Sequence, residues 1–458
     1  MASTPSIAED EVRRGVVEIV GEKNVVPAPE GAAWAVDGRV PKAVALPKGT
    51  KDVSALLAFA NKNGLSVVPR GSGTKMELGG PPKRADVVLS LLHLNRVTEY
   101  EPADLVVTAE AGLKLADLQE TLAKKGQWLP LDPPYRDATT LGGMVSSNSS
   151  GPLRYRFGPC RDWLLGVKVV TASGEVVRFG GKVVKNVAAY DMKKLFVGSL
   201  GSIGVLVELT FKLYPLPPAE QTFAALFDKV KDVAGFVTRV ISSDLQPYAV
   251  EALNPEACGI VAANAQLPTP GRSYAVVLSF GDVEESVRKQ FSAAQELGRS
   301  AGAVEWVVPD GRDGNAIWNS IRDLPRLTHQ MNPGTLACKA VVPVSRSLDC
   351  CEALEQLGAK RGMACAFSSH AGNGVVSCYL SPGGGPGDAE FSAGAVREAR
   401  EVALGMGGTL VIERAPSELK EKVDVWGPTG SDFQLMRALK ERLDPRGVLS
   451  PGRFIGGI

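Results

Sequence analysis

Charge of one sign is what this sequence lacks most plainly: 51 lysines and arginines stand against 50 aspartates and glutamates in 458 residues. Without a field of one sign, long-range attraction of nucleic acid or of an anionic lipid surface is excluded, and any anionic ligand must be met by local groups. The seven cysteines are odd in number and form no C-x-x-C pair. That excludes a disulfide framework, a zinc ribbon and an iron–sulfur ligand set, and leaves reduced core thiols. No run of about 18 apolar residues occurs, and residues 1–10 show no basic region followed by an apolar one. The expectation is a cytoplasmic protein with no direct membrane insertion, any membrane association being made through partner subunits. Histidine is scarce, at positions 93, 329 and 370 only, so imidazole chemistry has few places to occur. No internal repeat at a fixed period and no low-complexity tract is present.

Glycine, by contrast, is abundant at 50 residues, and its densest use follows a β-branched run. Residues 67–80 pass from Val67, Val68 and Pro69 into Arg70, Gly71, Ser72, Gly73 and Thr74, with Gly79 and Gly80 beyond. A strand therefore ends in a loop whose backbone can take positive φ and approach a ligand closely. Successive bare N–H groups form an anion-binding concavity, and Ser72 and Thr74 add hydroxyl donors suited to a pyrophosphate. The same string also suits an ordinary turn. Two further clusters change the weighing: residues 138–151, rich in Gly, Ser and Thr, and residues 198–206, which contain Gly198, Gly201 and Gly204 before an apolar strand. Three such loops feeding one ligand are much less expected by accident than one.

Around these loops the chain alternates short strands and helices. Residues 7–19 read as a surface helix, 43–47 as a strand, and 53–63 as a helix with apolar positions at 53, 56, 57 and 60, closed by Gly64. Strands are expected at 65–69 and 86–91 and across 97–112, the last pair joined at Pro102, Ala103 and Asp104, with a helix at 114–125 ended by Gly126. Ala172, Ser173 and Gly174 make a hairpin turn between strands 167–170 and 176–179. Pro215, Pro217 and Pro218 mark a boundary, after which strands and helices alternate in a pattern that suits an antiparallel sheet with helices on one face. The expected organisation is a lead-in at 1–40, a first α+β domain at 41–218, an antiparallel α+β cap at 219–410, and a segment at 411–458 that returns to the first domain and contains an amphipathic helix at 431–442.

The first loop, residues 129–134 (Leu-Pro-Leu-Asp-Pro-Pro), the Ala138 to Gly143 string with its Ser/Asn run, and residues 198–206 together resemble the FAD-binding domain of the vanillyl-alcohol oxidase, or PCMH-type, flavoproteins. Within that superfamily, residues 129–134, 151–158, 161–162 and 179–191 resemble the smaller FAD-binding subunit type of bacterial glycolate oxidase most closely. The resemblance covers roughly residues 40–218 and the tail at 444–454. It implies an α+β fold: a two-subdomain FAD-binding domain followed by an FAD-linked oxidase C-terminal cap. It also implies FAD contacts at Pro69, Arg70, Gly71, Ser72, Gly73 and Thr74; at Asp132 and Pro133; at Thr139, Thr140, Gly142, Gly143, Ser146, Ser147 and Asn148; at Gly151, Arg156 and Gly158; and at Gly204 and Val205. Some relatives attach the flavin through a histidine where this chain has Thr74, so FAD is expected to be noncovalent. Cys160, near this segment, reads as a small buried thiol rather than a flavin link.

For the substrate end, the resemblance implies dehydrogenation of a small 2-hydroxy acid such as glycolate or D-lactate, in a complex with a paralogous catalytic FAD subunit and an iron–sulfur subunit that takes the electrons. Catalytic relatives hold a divalent metal with a His-bearing Gly-rich motif, a second nearby histidine and a later Glu-His pair. Here Ser377 stands where the second histidine is expected and Arg414 follows Glu413 where the Glu-His pair is expected, so no metal is expected. His370, Arg322 and Arg414 are the candidate catalytic residues, the last two as partners for a carboxylate; a structural ion pair between Arg414 and the adjacent Glu413 is the competing reading. The alternatives to this function are a self-sufficient FAD-dependent alcohol or sugar oxidase, and a subunit that only relays electrons or scaffolds the complex.

Overall fold

A computed structural model describes residues 8–181, 190–306, 311–383 and 388–458. Most of the 179–191 stretch that contributed to the family resemblance therefore lies outside the described residues.

The first body begins with a three-stranded parallel sheet in the order Ala43–Ala45, Val87–Ser90, Val67–Arg70. The crossover between its outer strands is the helix Thr50–Asn63, which buries Val53, Leu56, Leu57 and Ala60 and ends at Gly64 in the left-handed conformation. A five-stranded antiparallel sheet follows, in the order Val97–Glu101, Val106–Glu110, Val205–Lys212, Leu164–Val170, Val176–Gly180. The hairpin expected at Ala172 to Gly174 joins the last two of these strands. One apolar core unites the two sheets and the helices Glu9–Val20, Thr50–Asn63 and Leu115–Ala123.

The second body is an eight-stranded antiparallel sheet in the order Val304–Trp306, Ala219–Phe227, Tyr274–Asp282, Ala249–Leu253, Met363–His370, Val375–Pro382, Leu336–Val341, Thr409–Arg414. Helices cover both faces rather than the single face expected. Along Ala219–Phe227, Phe223, Ala225 and Phe227 join the core under Val230–Ile241, Glu284–Ser300 and Ser347–Lys360, while Ala224 and Leu226 join a separate core under Pro255–Ala265 and Arg312–Arg322. Apolar residues on both sides of a strand demand cover on both sides.

The chain then returns to the first body. Leu449 forms a parallel bridge with Val67, and the Lys440 ammonium donates to the carbonyls of Ser202 and Leu449 and to Asp444. A buried ion cluster completes the closure. Asp37, its side chain only 3% exposed, accepts from Lys420 at 2.6 Å and pairs with Arg453 at 3.3 Å. Those same cations donate to three consecutive carbonyls of the glycine-rich loop: Arg453 to Met76 and Leu78, each at 2.6 Å, and Lys420 to Glu77 at 2.5 Å. Removing one partner of such a cluster leaves uncompensated buried charge. Asp37 has φ of 45°, a conformation that asparagine tolerates. Asp37→Asn is therefore expected to cost about 3–5 kcal/mol of stability in urea unfolding followed by circular dichroism, and a loss within the about 0–1 kcal/mol range of a surface pair would show that the cluster is not a structural tie.

Candidate functional site

The glycine-rich loop leaves the end of the strand Val67–Arg70 and forms one wall of a groove. Two adjoining hollows of about 500 and 400 Å³ share Pro69, Arg70, Gly71, Thr140, Gly143, Ser146 and Leu200. The first extends to Ser72, Gly73, Thr74, Ser147 and Arg453, the second to Gly142, Gly201, Gly204 and Val205. The three glycine clusters singled out in the sequence thus meet in one place. Gly71 is there because a Cβ would lie 2.1 Å from the Thr140 hydroxyl, and Gly73 because its φ is +89° and a Cβ would sit 2.6 Å from the Arg70 guanidinium.

Residues 141–147 are a short helix rather than an open loop. Thr140 caps it by accepting from the Gly143 N–H at 3.2 Å, and Gly142 lets it press against Ala111, which a Cβ would approach to 2.8 Å. Its glycines and serines hid it from a reading by helix propensity. Arg70 lies over the Trp34 ring at 4.4 Å, its Nε is buried without a partner, and burial lowers its pKa from the ordinary value. A desolvated cation with an unused donor beside a glycine cradle and several hydroxyls fits the pyrophosphate of a dinucleotide such as FAD.

Several expected contacts lie elsewhere. Asp132 is buried with its carboxylate accepting from the Leu153 N–H at 3.2 Å, and it lines a separate hollow of about 1020 Å³. Burial raises its pKa to about 6 against the opposing pull of Arg322. Pro133 is buried beside it, and Thr139 donates to the Pro134 carbonyl. Asn148, at φ 49°, closes the short helix and accepts from the Cys160 thiol at 3.6 Å. Arg156 is exposed and donates to Gln246, and Gly158, at φ +74°, ends the turn Arg154–Phe157. None of these lines the groove. They come from the same stretches of sequence as the groove formers but serve the turns that shape it. Cys160 is a buried thiol pushed up to about 12 by burial, as the sequence suggested.

Lys75, in the glycine-rich loop, also lines a chamber of about 670 Å³ that Gly151, Pro152, Arg154, Arg322, Lys339, Ser368, His370, Ser377, Tyr379 and Glu413 share. The cap contributes by strand alternation: Ser368 and His370, Val375, Ser377 and Tyr379, Lys339 and Val341 are all two residues apart and so leave one face of the sheet together. Register brings Lys339 opposite Ser377, and Ser377 opposite Ser368.

His370 is a chamber residue. It pairs across strands with Glu251, whose fully buried carboxylate is hydrogen-bonded to the His370 Nδ1. Burial alone would lower the imidazole pKa, but Glu251 outweighs it and raises it above the ordinary value. Arg322 lines both the chamber and the neighbouring hollow and bonds Asn319; Arg154 donates to Ser150 at 3.4 Å. Burial lowers the pKa of both guanidiniums, and among the described residues neither forms a salt bridge. Arg414 is not in the chamber and does not pair with Glu413. The pairing with Leu336–Val341 is irregular here, Ile412 standing opposite Cys338 and Arg414 opposite Ala337 with Glu413 as the extra residue, and Arg414 pairs with Glu77 and donates to the Pro325 carbonyl at 3.2 Å. Glu413 is held instead by Lys339 at 2.5 Å and Lys75 at 3.0 Å, and these cations outweigh burial to keep its pKa far below the carboxylate range.

Sequence reasoning missed Glu251, Arg154, Lys75 and Lys339. A lone glutamate inside the apolar strand Ala249–Leu253 was a usable signal for the first; the lysines had none. Among the described residues no group of three or more His, Cys, Asp or Glu side chains could hold a metal ion, and no helix is long and apolar enough to cross a membrane.

Comparison with known proteins agrees with this geometry. Residues 41–180 match the FAD binding domain family, and residues 216–454 match the FAD linked oxidases, C-terminal domain. The chain is 29% identical to glycolate oxidase subunit GlcD of Bacillus subtilis (strain 168) over 91% of this chain and 89% of the relative. It is 26% identical to a D-lactate dehydrogenase of Archaeoglobus fulgidus over 90% and 91%. The fold is shared with 4-ethylphenol oxidase from Gulosibacter chungangensis, at a TM-score of 0.76 and 19% identity over 97% of this chain and 96% of that one. Since the second match alone spans more than half of its length, this chain belongs to the FAD-linked oxidases of the PCMH-type superfamily and is an FAD-dependent oxidoreductase.

Proposed function

We propose that this chain holds FAD noncovalently along the glycine-rich groove and oxidises a small 2-hydroxy acid of the glycolate or D-lactate class in the adjoining chamber, as one subunit of a complex that passes the electrons to an iron–sulfur partner and includes a paralogous FAD subunit. The observation that supports it is the composition of the chamber: a histidine backed by a buried carboxylate stands beside two guanidiniums free of salt bridges among the described residues. The relatives named for glycolate and D-lactate point the same way. Noncovalent binding accords with Thr74 at the groove and with Cys160, which lies outside it.

FAD supplies an acceptor for the hydride leaving the α-carbon. The protein does the rest. Arg154 and Arg322 face a carboxylate with donors that no salt bridge among the described residues occupies, which orients the α-carbon. With Nδ1 engaged by Glu251, the Nε2 of His370 is the ring nitrogen left to take the hydroxyl proton, and Glu251 stabilises the imidazolium that results. Pro134, Ile321 and Pro325 add apolar surface to the chamber lining.

Five outcomes test this. Anaerobic addition of glycolate or D-lactate to the FAD-loaded protein should bleach its visible flavin absorbance, and a flavin that stays oxidised with both acids would leave a relay role only. Gly73→Val should lose bound flavin, read as the ratio of visible to protein absorbance, because positive φ and the space beneath Arg70 are both required. The rate of flavin reduction should fall as pH drops through a pKa above the ordinary 6.5 of histidine, because proton acceptance needs the neutral ring. Glu251→Gln should move that midpoint to lower pH, whereas His370→Asn should slow the step by about 10²–10⁴-fold; a pH profile that Glu251→Gln does not alter would remove the histidine from the reaction.

A further inference from the structure

The chamber presents an unusual pair of cations. Lys75 comes from the glycine-rich loop and Lys339 from the eight-stranded sheet, and each ammonium takes one oxygen of the same carboxylate, Glu413. Two positive charges on one negative charge leave an excess of positive charge at the chamber wall, within a site that also contains Tyr379, Ser368 and Ser377. Lys339 has donor capacity left, since an ammonium has three N–H groups and one is on Glu413. Its side chain is 32% exposed, and it stands opposite Ser377 on the chamber face.

These residues do not fit a divalent cation. The relatives' second histidine is Ser377 here, the residue after Glu413 is an arginine directed to Glu77, the Nδ1 of His370 is committed to Glu251, and both oxygens of Glu413 are taken by ammonium groups. A divalent ion placed against Glu413 would have to displace two like charges within hydrogen-bond distance of its ligand.

We propose that the Lys75–Glu413–Lys339 bridge is the fixed cation of this chamber, that Lys339 binds an oxygen of the carboxylate or hydroxyl of the 2-hydroxy acid directly, and that the site works without a divalent metal. This rests on the reading of the chamber as a 2-hydroxy-acid site, but its test does not require turnover. Glu413 positions both ammonium groups, and Lys75 joins the wall of the dinucleotide groove to the wall of the substrate chamber, so Lys339 is the member that can be altered with least effect on FAD.

The probe is oxalate, a small anion with carboxylate oxygens of the same kind, titrated into FAD-loaded protein and followed both by perturbation of the flavin spectrum and by calorimetry. The dissociation constant should be the same before and after exhaustive treatment with a chelator, and preincubation with Zn²⁺ or Mn²⁺ followed by removal of the excess should not tighten it. Lys339→Met should weaken oxalate binding by about tenfold or more, as loss of a charge-assisted hydrogen bond does, at unchanged flavin content, with Lys339→Arg intermediate. Loss of oxalate binding on chelation with recovery on adding metal, no oxalate binding at all, or wild-type affinity in Lys339→Met would each overturn the proposal. Should Lys339→Met fail to fold, the chelation arm on the unaltered protein still decides it. Metal-independent, Lys339-dependent oxalate binding in a protein whose flavin neither glycolate nor D-lactate reduces would uphold the lysine site and defeat the assignment of substrate.

Discussion

A glycine-rich loop can approach a ligand closely only if something other than its own side chains holds it still, and here buried cations do so. Its first limb leaves the strand Val67–Arg70, and Ser72 is hydrogen-bonded to the carbonyl of Ala138. Its second limb is held through three successive carbonyls by Arg453 and Lys420, which Asp37 in turn neutralises. Lys75, between these anchors, and Glu77, within the second limb, reach across to Glu413 and Arg414 on the last strand of the cap. The loop is thus clamped from the first body, the cap and the tail together, and the groove and the chamber inherit their spacing from that clamp. Conformational freedom in sequence becomes rigidity in structure because backbone acceptors and buried charges satisfy one another.

Local periodicity made much of this fold legible. The helix Thr50–Asn63 buries the four positions that its sequence spacing marks, the hairpin at Ala172 to Gly174 forms where the turn residues sit, and the three glycine clusters converge. What could not be read was whatever depends on pairing between distant strands. Glu251 meets His370 because two strands separated by more than a hundred residues lie in one register. Arg414 looked like a chamber residue by its place beside Glu413, yet at an irregularity in the strand pairing the two take different partners, Glu413 Lys75 and Arg414 Glu77. The helix at 141–147 was hidden by residues chosen for small size rather than helix propensity, and the second helical layer on the cap by runs buried on both sides, which lack the alternation that would reveal a face.

Near-neutrality of the whole chain conceals strong local separation of charge. The chamber gathers Lys75, Arg154, Arg322, Lys339 and His370 against Glu413 on its wall, with Glu251 placed behind the histidine. Cations of this kind act at contact distance, within a recess where they are less screened than on an open surface, and exert little pull beyond a Debye length. Such a protein selects its ligand after encounter rather than by steering it.

The bridge between Leu449 and Val67, and the hold of Arg453 on residues 76 and 78, join segments on opposite sides of the cap in sequence. A ribosome delivers those partners hundreds of residues apart. Until Lys420 and Arg453 have been made, Asp37 lacks both of these cations and the loop carbonyls lack these buried donors. The dinucleotide groove can therefore take its final shape only after the cap that precedes Lys420 and Arg453 has been made.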